Sequence, residues 1–296
     1  MPSGLSTAGR GNDWFNGGVM EKFIVAVLAV VAFASCLSAE DGKAPAKTQA
    51  AAKQKASVSQ SAPAEQGNLG KLTDPDPIVR RNAVIYIGAE KKKANVPRLI
   101  KMLADENVEV RRAAINALGA SGDPRAVSAL LEKFTTEKNL NAKMSIIMAI
   151  GDTKSARAVP LMKTLLKDPY PAIRGEAVRA LGKINAAETH KDIAAMLSDE
   201  AEGVRVMAAQ ISGLLKIKTA VPLLVKNLAD PIAVVRRSCA QALGRLGDAS
   251  SIAELEKLLN DADKAVSGTA RSAIENINRE LEEIKALEQS KPAKGK

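Results

Sequence analysis

Aromatic residues make up only 2% of this 296-residue chain. So few rings disfavour a β-sandwich or barrel, whose strands draw on aromatic and β-branched side chains, and leave few platforms for stacking bases. Histidine occurs once, at His190, and cysteine twice, at Cys36 and Cys239. One imidazole cannot build a histidine-based di-iron centre. With Cys36 inside a leader, no internal disulfide framework remains. The repeats hold no Gly-x-x-x-x-Gly-Lys-Ser/Thr loop, no cysteine pair at zinc spacing and no nucleophile elbow. What is abundant is small and aliphatic: the hydrophobic fraction is 46%, carried by Ala, Leu, Val and Ile. That mix suits close-packed helices, and the expected fold class is all-α.

Lys and Arg exceed Asp and Glu by 43 − 33 = +10. Within residues 1–39 the charges cancel, Arg10 and Lys22 against Asp13 and Glu21, so the surplus belongs to the chain beyond residue 39. A basic surplus suits an anionic surface, and it also serves simply to keep a long protein soluble.

Residues 1–39 read as a leader. Met20-Glu21-Lys22 precedes twelve apolar residues, Phe23 to Ala34, and then Ser35-Cys36-Leu37-Ser38-Ala39. The run is shorter than the roughly 20 residues of a membrane-spanning helix and has the outline of a secretory signal, with Met20 as the expected start. Two processing modes stay open. Signal peptidase would cut after Ala39, whereas Phe33-Ala34-Ser35-Cys36 resembles a lipobox that would make Cys36 a lipidated N-terminus, with Phe33 departing from the usual Leu. Either mode exports the protein to the periplasm or cell envelope, and a membrane is met only through that lipid. Residues 40–66, rich in Ala, Lys, Gln, Ser and Pro, are expected to form a disordered linker.

From residue 67 to 288 the chain repeats. An acid heads each unit at Asp74, Asp105, Glu137, Asp168, Asp199, Asp230 and Asp261, spaced by 31 or 32 residues. Six positions on stands a base in six units: Arg80, Arg111, Lys143, Arg174, Arg205 and Arg236. Nine positions on comes Ala83, Ala114, Ile146, Ala177, Ala208, Cys239 or Ala270, which marks close helix approach and makes Cys239 a buried substitute for alanine. Fourteen positions on stands Gly88, Gly119, Gly151, Gly182, Gly213 or Gly244, where the first helix is expected to end in a positive-φ cap. A second helix opens near Val96, Val127, Val159, His190, Val221 and Ile252. The head acids are expected to act as helix caps or as struts to arginine. Such units are stable only when stacked. Leu69 and Leu72 read as the tail of a truncated leading unit, and residues from about Asp263 to Glu288 as one long closing helix. Residues 289–296, with Lys291, Lys294 and Lys296, are expected to be a disordered basic tail.

The stretch Asp230-Pro231-Ile232-Ala233-Val234-Val235-Arg236-Arg237, followed by Ala-Leu-Gly, resembles the short HEAT-like repeats of phycobilin lyase subunits, over roughly Asp74 to Leu259. The resemblance implies a right-handed α-solenoid, armadillo/HEAT-like, of about seven helical hairpins, acting as a protein-binding scaffold with its partner on the concave face of second helices. It also implies an alternative, an accessory subunit of an enzyme. The enzymatic relative, deoxyhypusine hydroxylase, uses several His-Glu pairs to hold iron, and this chain has no such pairs. No catalytic residue, metal site or cofactor is therefore assigned. His190, in a column otherwise Val or Ile, is expected to be structural, and no nucleic acid is expected as partner.

One pattern remains, in the turns between first and second helices. Odd units carry Lys91, Lys92 and Lys93, then Lys154 and Arg157, then Lys216 and Lys218; even units carry Asp123 with Arg125, Glu188 and Asp248. If equivalent turns share one edge, the odd ones form basic knobs for an anionic partner, whether acidic protein, lipid headgroups or polymer. Ordinary solvated lysines are the alternative.

Overall fold

The structure, a computed structural model, describes residues 63–289. Leader, Cys36, residues 40–62 and the tail after Gln289 lie outside the described residues. Fourteen α-helices and no strand occur among the described residues. A short helix α1 (Pro63–Gly70) comes first, beginning inside the segment expected to be linker to residue 66. Seven first helices follow: α2 (Pro77–Ala89), α4 (Val108–Ala120), α6 (Leu140–Asp152), α8 (Pro171–Ile184), α10 (Glu202–Leu214), α12 (Ala233–Leu246) and α14 (Lys264–Gln289). Between them lie the second helices α3 (Val96–Lys101), α5 (Pro124–Thr136), α7 (Val159–Leu165), α9 (His190–Ala195), α11 (Val221–Lys226) and α13 (Ile252–Lys257). Successive first helices pack side by side along the whole row, the first six each with a second helix behind it, which makes this body an α-solenoid.

Most second helices are short because 3₁₀ turns continue them, at both ends as with Lys93–Asn95 before α3 and Met102–Ala104 after it, or at the start alone as with Ala156–Ala158 before α7. The exception is α5, which runs unbroken from Pro124 and so opens three residues before the expected Val127. There the Asp123 carboxylate accepts from the Arg125 N–H at 2.9 Å, and Pro124 supplies the helical φ of the first turn. The closing helix α14 matches the expected long final element.

One continuous apolar seam runs from Leu72 to Ile277. The small-residue column lies in it: Ala114, Ala177, Ala208, Cys239 and Ala270 are all fully buried. Burial pushes the Cys239 thiol up to about 12, the behaviour of a small apolar residue rather than a nucleophile.

The glycine column corrects the expectation of positive-φ caps. Gly88, Gly119, Gly151, Gly182, Gly213 and Gly244 are still helical, one or two residues before the ends of the first helices, and do not have positive φ. They are needed for closeness: a Cβ at Gly119 would come within 2.8 Å of the Cα of Ala149, and one at Gly213 within 2.7 Å of the Cα of Ala242. The glycines form a spine where each first helix touches the next. Positive φ falls three residues later, at Lys91, Gly122, Lys154, Asn185, Lys216 and Gly247.

Candidate interaction surfaces

The head acids and the arginines form the most regular polar structure in the body. Arg80 reaches Asp105, Arg111 reaches Glu137, Arg174 reaches Asp199, Arg205 reaches Asp230 and Arg236 reaches Asp261, in every case with Nε at 2.8 Å and Nη2 on the second carboxylate oxygen. The remaining Nη1 donates to two carbonyls of the arginine's own unit, as from Arg80 to those of Asp74 and Pro75. One carboxylate oxygen of each acid also accepts a backbone N–H, usually two residues on, as Asp230 does from Ile232 at 2.9 Å. The acids are thus struts between units, and the helix caps proper stand two residues later, at Asp76, Asn107 and Asn139 in the first three units.

The ionisation of these groups follows from the same contacts. Burial works to raise the Asp105 and Glu137 carboxyls, but the paired arginine and the accepted backbone N–H outweigh it, holding Asp105 low and Glu137 at about 2. The ladder has one gap. Lys143 replaces arginine in the third unit, and its ammonium lies 5.4 Å from the centre of the Phe134 ring instead of bridging to Asp168.

The turn residues Lys91, Lys92, Lys93, Lys154, Arg157, Lys216 and Lys218 are all exposed. Their alternation now has a backbone counterpart. At the positive-φ position the even units use Gly122, Asn185 and Gly247, the residue types that adopt it cheaply, while the odd units use Lys91 (φ 50°), Lys154 (φ 53°) and Lys216 (φ 49°). Lys92 pairs with Glu90 at 3.6 Å, and Lys216 with Glu280 at 3.3 Å. The turns of the first two units touch, since Arg125 donates to the Lys93 carbonyl at 3.0 Å. Sequence reading found the charge but missed the strained backbone, for which a lysine where neighbouring units put Gly or Asn was the available signal.

Three surface grooves lie between first helices. One of about 430 Å³ lies between α2 and α4, one of about 560 Å³ between α8 and α10, and one of about 510 Å³ between α12 and α14. His190 opens α9 with Nε2 3.4 Å from the Asn185 amide oxygen, a local contact at a helix start. Among the described residues, no three His, Cys, Asp or Glu side chains gather as metal ligands would.

Comparison with known proteins gives three stretches, residues 68–144, 133–201 and 191–275, that match the profile described as HEAT repeats. An uncharacterised phycocyanin operon protein Z of Pseudanabaena tenuis is 26% identical over 70% of this chain and 92% of its own length. The bilin biosynthesis protein PecE of Mastigocladus laminosus is 27% identical over 50% of this chain, which spans 57% of that relative. Deoxyhypusine hydroxylase of Rattus norvegicus is 25% identical over 68% of this chain and 76% of its own length. Among solved structures, the complex of CpcE and CpcF of phycocyanin lyase from Nostoc aligns over 79% of this chain and 99% of that chain, at 22% identity and a TM-score of 0.47.

Proposed function

The chain belongs to the HEAT-repeat family, and from that premise we propose that it is a non-enzymatic scaffold that holds a protein partner in the cell envelope. A stack of hairpins offers long surfaces and a continuous core, which is the arrangement solenoids use for recognition. The observation that carries the finer reading is the set of odd-unit turn lysines. Three of them, Lys91, Lys154 and Lys216, are held at positive φ at a cost of roughly 1 kcal/mol relative to the glycine or asparagine of the neighbouring units. Strain kept at three exposed cations, and avoided at the intervening turns, fits a basic edge that meets an acidic protein surface. Export rests on the leader pattern around Phe23–Ala34, with lipidation at Cys36 as one mode of retention.

The test is capture from envelope fractions with wild type and with Lys92→Glu, Lys154→Glu and Lys218→Glu combined. The same partner, identified by mass spectrometry, is expected to be retained by wild type and lost by the variant. Equal capture would remove the basic edge from the reading. Mass spectrometry of the mature N-terminus decides between cleavage after Ala39 and lipidation of Cys36.

A second reading is favoured by the relatives' names: an accessory subunit whose chemistry comes from another chain or a bound pigment. Visible absorption in the protein purified from its native cells would support it, and a spectrum without bands above the protein region would count against a resident pigment.

A further inference from the structure

The helical glycines fall into two classes. Those of the spine are explained by a neighbouring first helix, but Gly67 and Gly70 on α1, Gly175 on α8, Gly203 on α10 and Gly268 on α14 are not, because a Cβ at any of the five would meet nothing within 4 Å. Glycine inside a helix is less stable than alanine by roughly 0.5–1 kcal/mol. A bare position that internal packing does not require leaves room for something outside the chain. Gly175 and Gly203 line the same groove, of about 560 Å³, between α8 and α10.

A second observation bears on what that groove takes. Glu176, which also lines it, has a side chain only 11% exposed, about nine-tenths buried, and its Oε2 has no hydrogen-bond donor. Its other oxygen is 3.5 Å from Nη1 of the half-exposed Arg179, too far for a good hydrogen bond. A carboxylate oxygen kept from water without a donor is costly, and a donor brought by a partner relieves that cost. The last torsion of a glutamate is broad, so a modest rotation presents this oxygen to the groove. The groove's remaining charged residues are Glu200, already held by Arg174, and Glu202, so the lining is acidic apart from Arg179. Met144 and Met207 supply adaptable apolar walls.

We propose that the groove between α8 and α10 binds an extended segment of a partner protein through one basic side chain. The ammonium or guanidinium sits on Glu176, and the segment's main chain lies against the bare helix surface at Gly175 and Gly203. This deepens the scaffold reading and rests on it, but it uses a different surface from the basic edge.

The test uses the full chain and an array of nonapeptides, each with one Arg or Lys among small and apolar residues, beside counterparts carrying Glu or Leu at that position. Binding is followed by fluorescence anisotropy. Basic peptides are expected to bind saturably, with Kd below about 100 μM, and their counterparts at least tenfold more weakly. Glu176→Gln should weaken binding at least tenfold. Gly175→Leu should abolish it while leaving Tm unchanged or higher, because the added side chain enters open space. Absence of any preference for the basic peptides overturns the proposal, as does binding that neither variant alters. If Glu peptides bind instead and are lost in the Lys154→Glu variant, the groove proposal falls and the scaffold reading stands. If no peptide of either sign binds, the groove proposal is overturned, and capture from envelope fractions still decides the scaffold reading.

Discussion

On α10, Gly203 and Gly213 obey opposite rules. A methyl group at Gly213 would strike the Cα of Ala242 at 2.7 Å, and no rotamer change moves a backbone atom aside. Gly213→Ala is therefore expected to destabilise by about 1–3 kcal/mol, read as a lower midpoint in chemical denaturation. Lys154→Gly should do the reverse, gaining about 0.5–1 kcal/mol by relieving a left-handed lysine, measured in the same way. Glu137 supplies a pH dependence. Its folded-state value of about 2 lies below the ordinary 4.5, so the unfolded chain takes up this proton first as pH falls. The stability it contributes is complete above about pH 5 and is lost as pH drops through 4.5 towards 2; denaturation curves of Glu137→Gln should show a shallower loss over that window. The columns themselves could be read from sequence because each repeats at fixed spacing. The role of the glycines was misread because a residue without a side chain serves equally as a left-handed cap or as a contact point, and periodicity does not tell the two apart.

Each first helix is tied to the next by two devices, the glycine contact and the arginine strut, and only the strut is missing at one joint. Between the third and fourth units Lys143 turns to Phe134 and leaves Asp168 with its Tyr170 backbone contact alone. Restoring the bidentate pair with Lys143→Arg is expected to add on the order of 1 kcal/mol, and hydrogen exchange should slow most in α6 and α8. That the head acid would meet an arginine was legible in the spacing. That it would be the arginine of the preceding unit was not, because one sequence column cannot say which of two neighbouring units its partner belongs to. The grooves were equally hidden: bare glycines at Gly175 and Gly203 fall outside the repeating columns and gain meaning only when α8 and α10 stand side by side.

For the solenoid as a whole, stability is the sum of units that each need a neighbour. The final helix α14 covers α12 with Ala270, Ala273 and Ile277, all buried. Ending the chain before Lys264 would uncover that face of α12. The truncated protein is expected to unfold at a lower temperature and to bind a hydrophobic dye, which thermal denaturation with dye fluorescence would register. The strut geometry has a wider implication. Each of these arginines plugs into a socket one unit ahead while anchoring itself in the carbonyls of its own, so every joint but the one after Lys143 carries the same fitting. Units are therefore interchangeable couplings, and the molecule can lengthen or shorten by whole units without redesigning a single interface. The third unit, with Lys143, and the seventh, with Ser267, lack the plug.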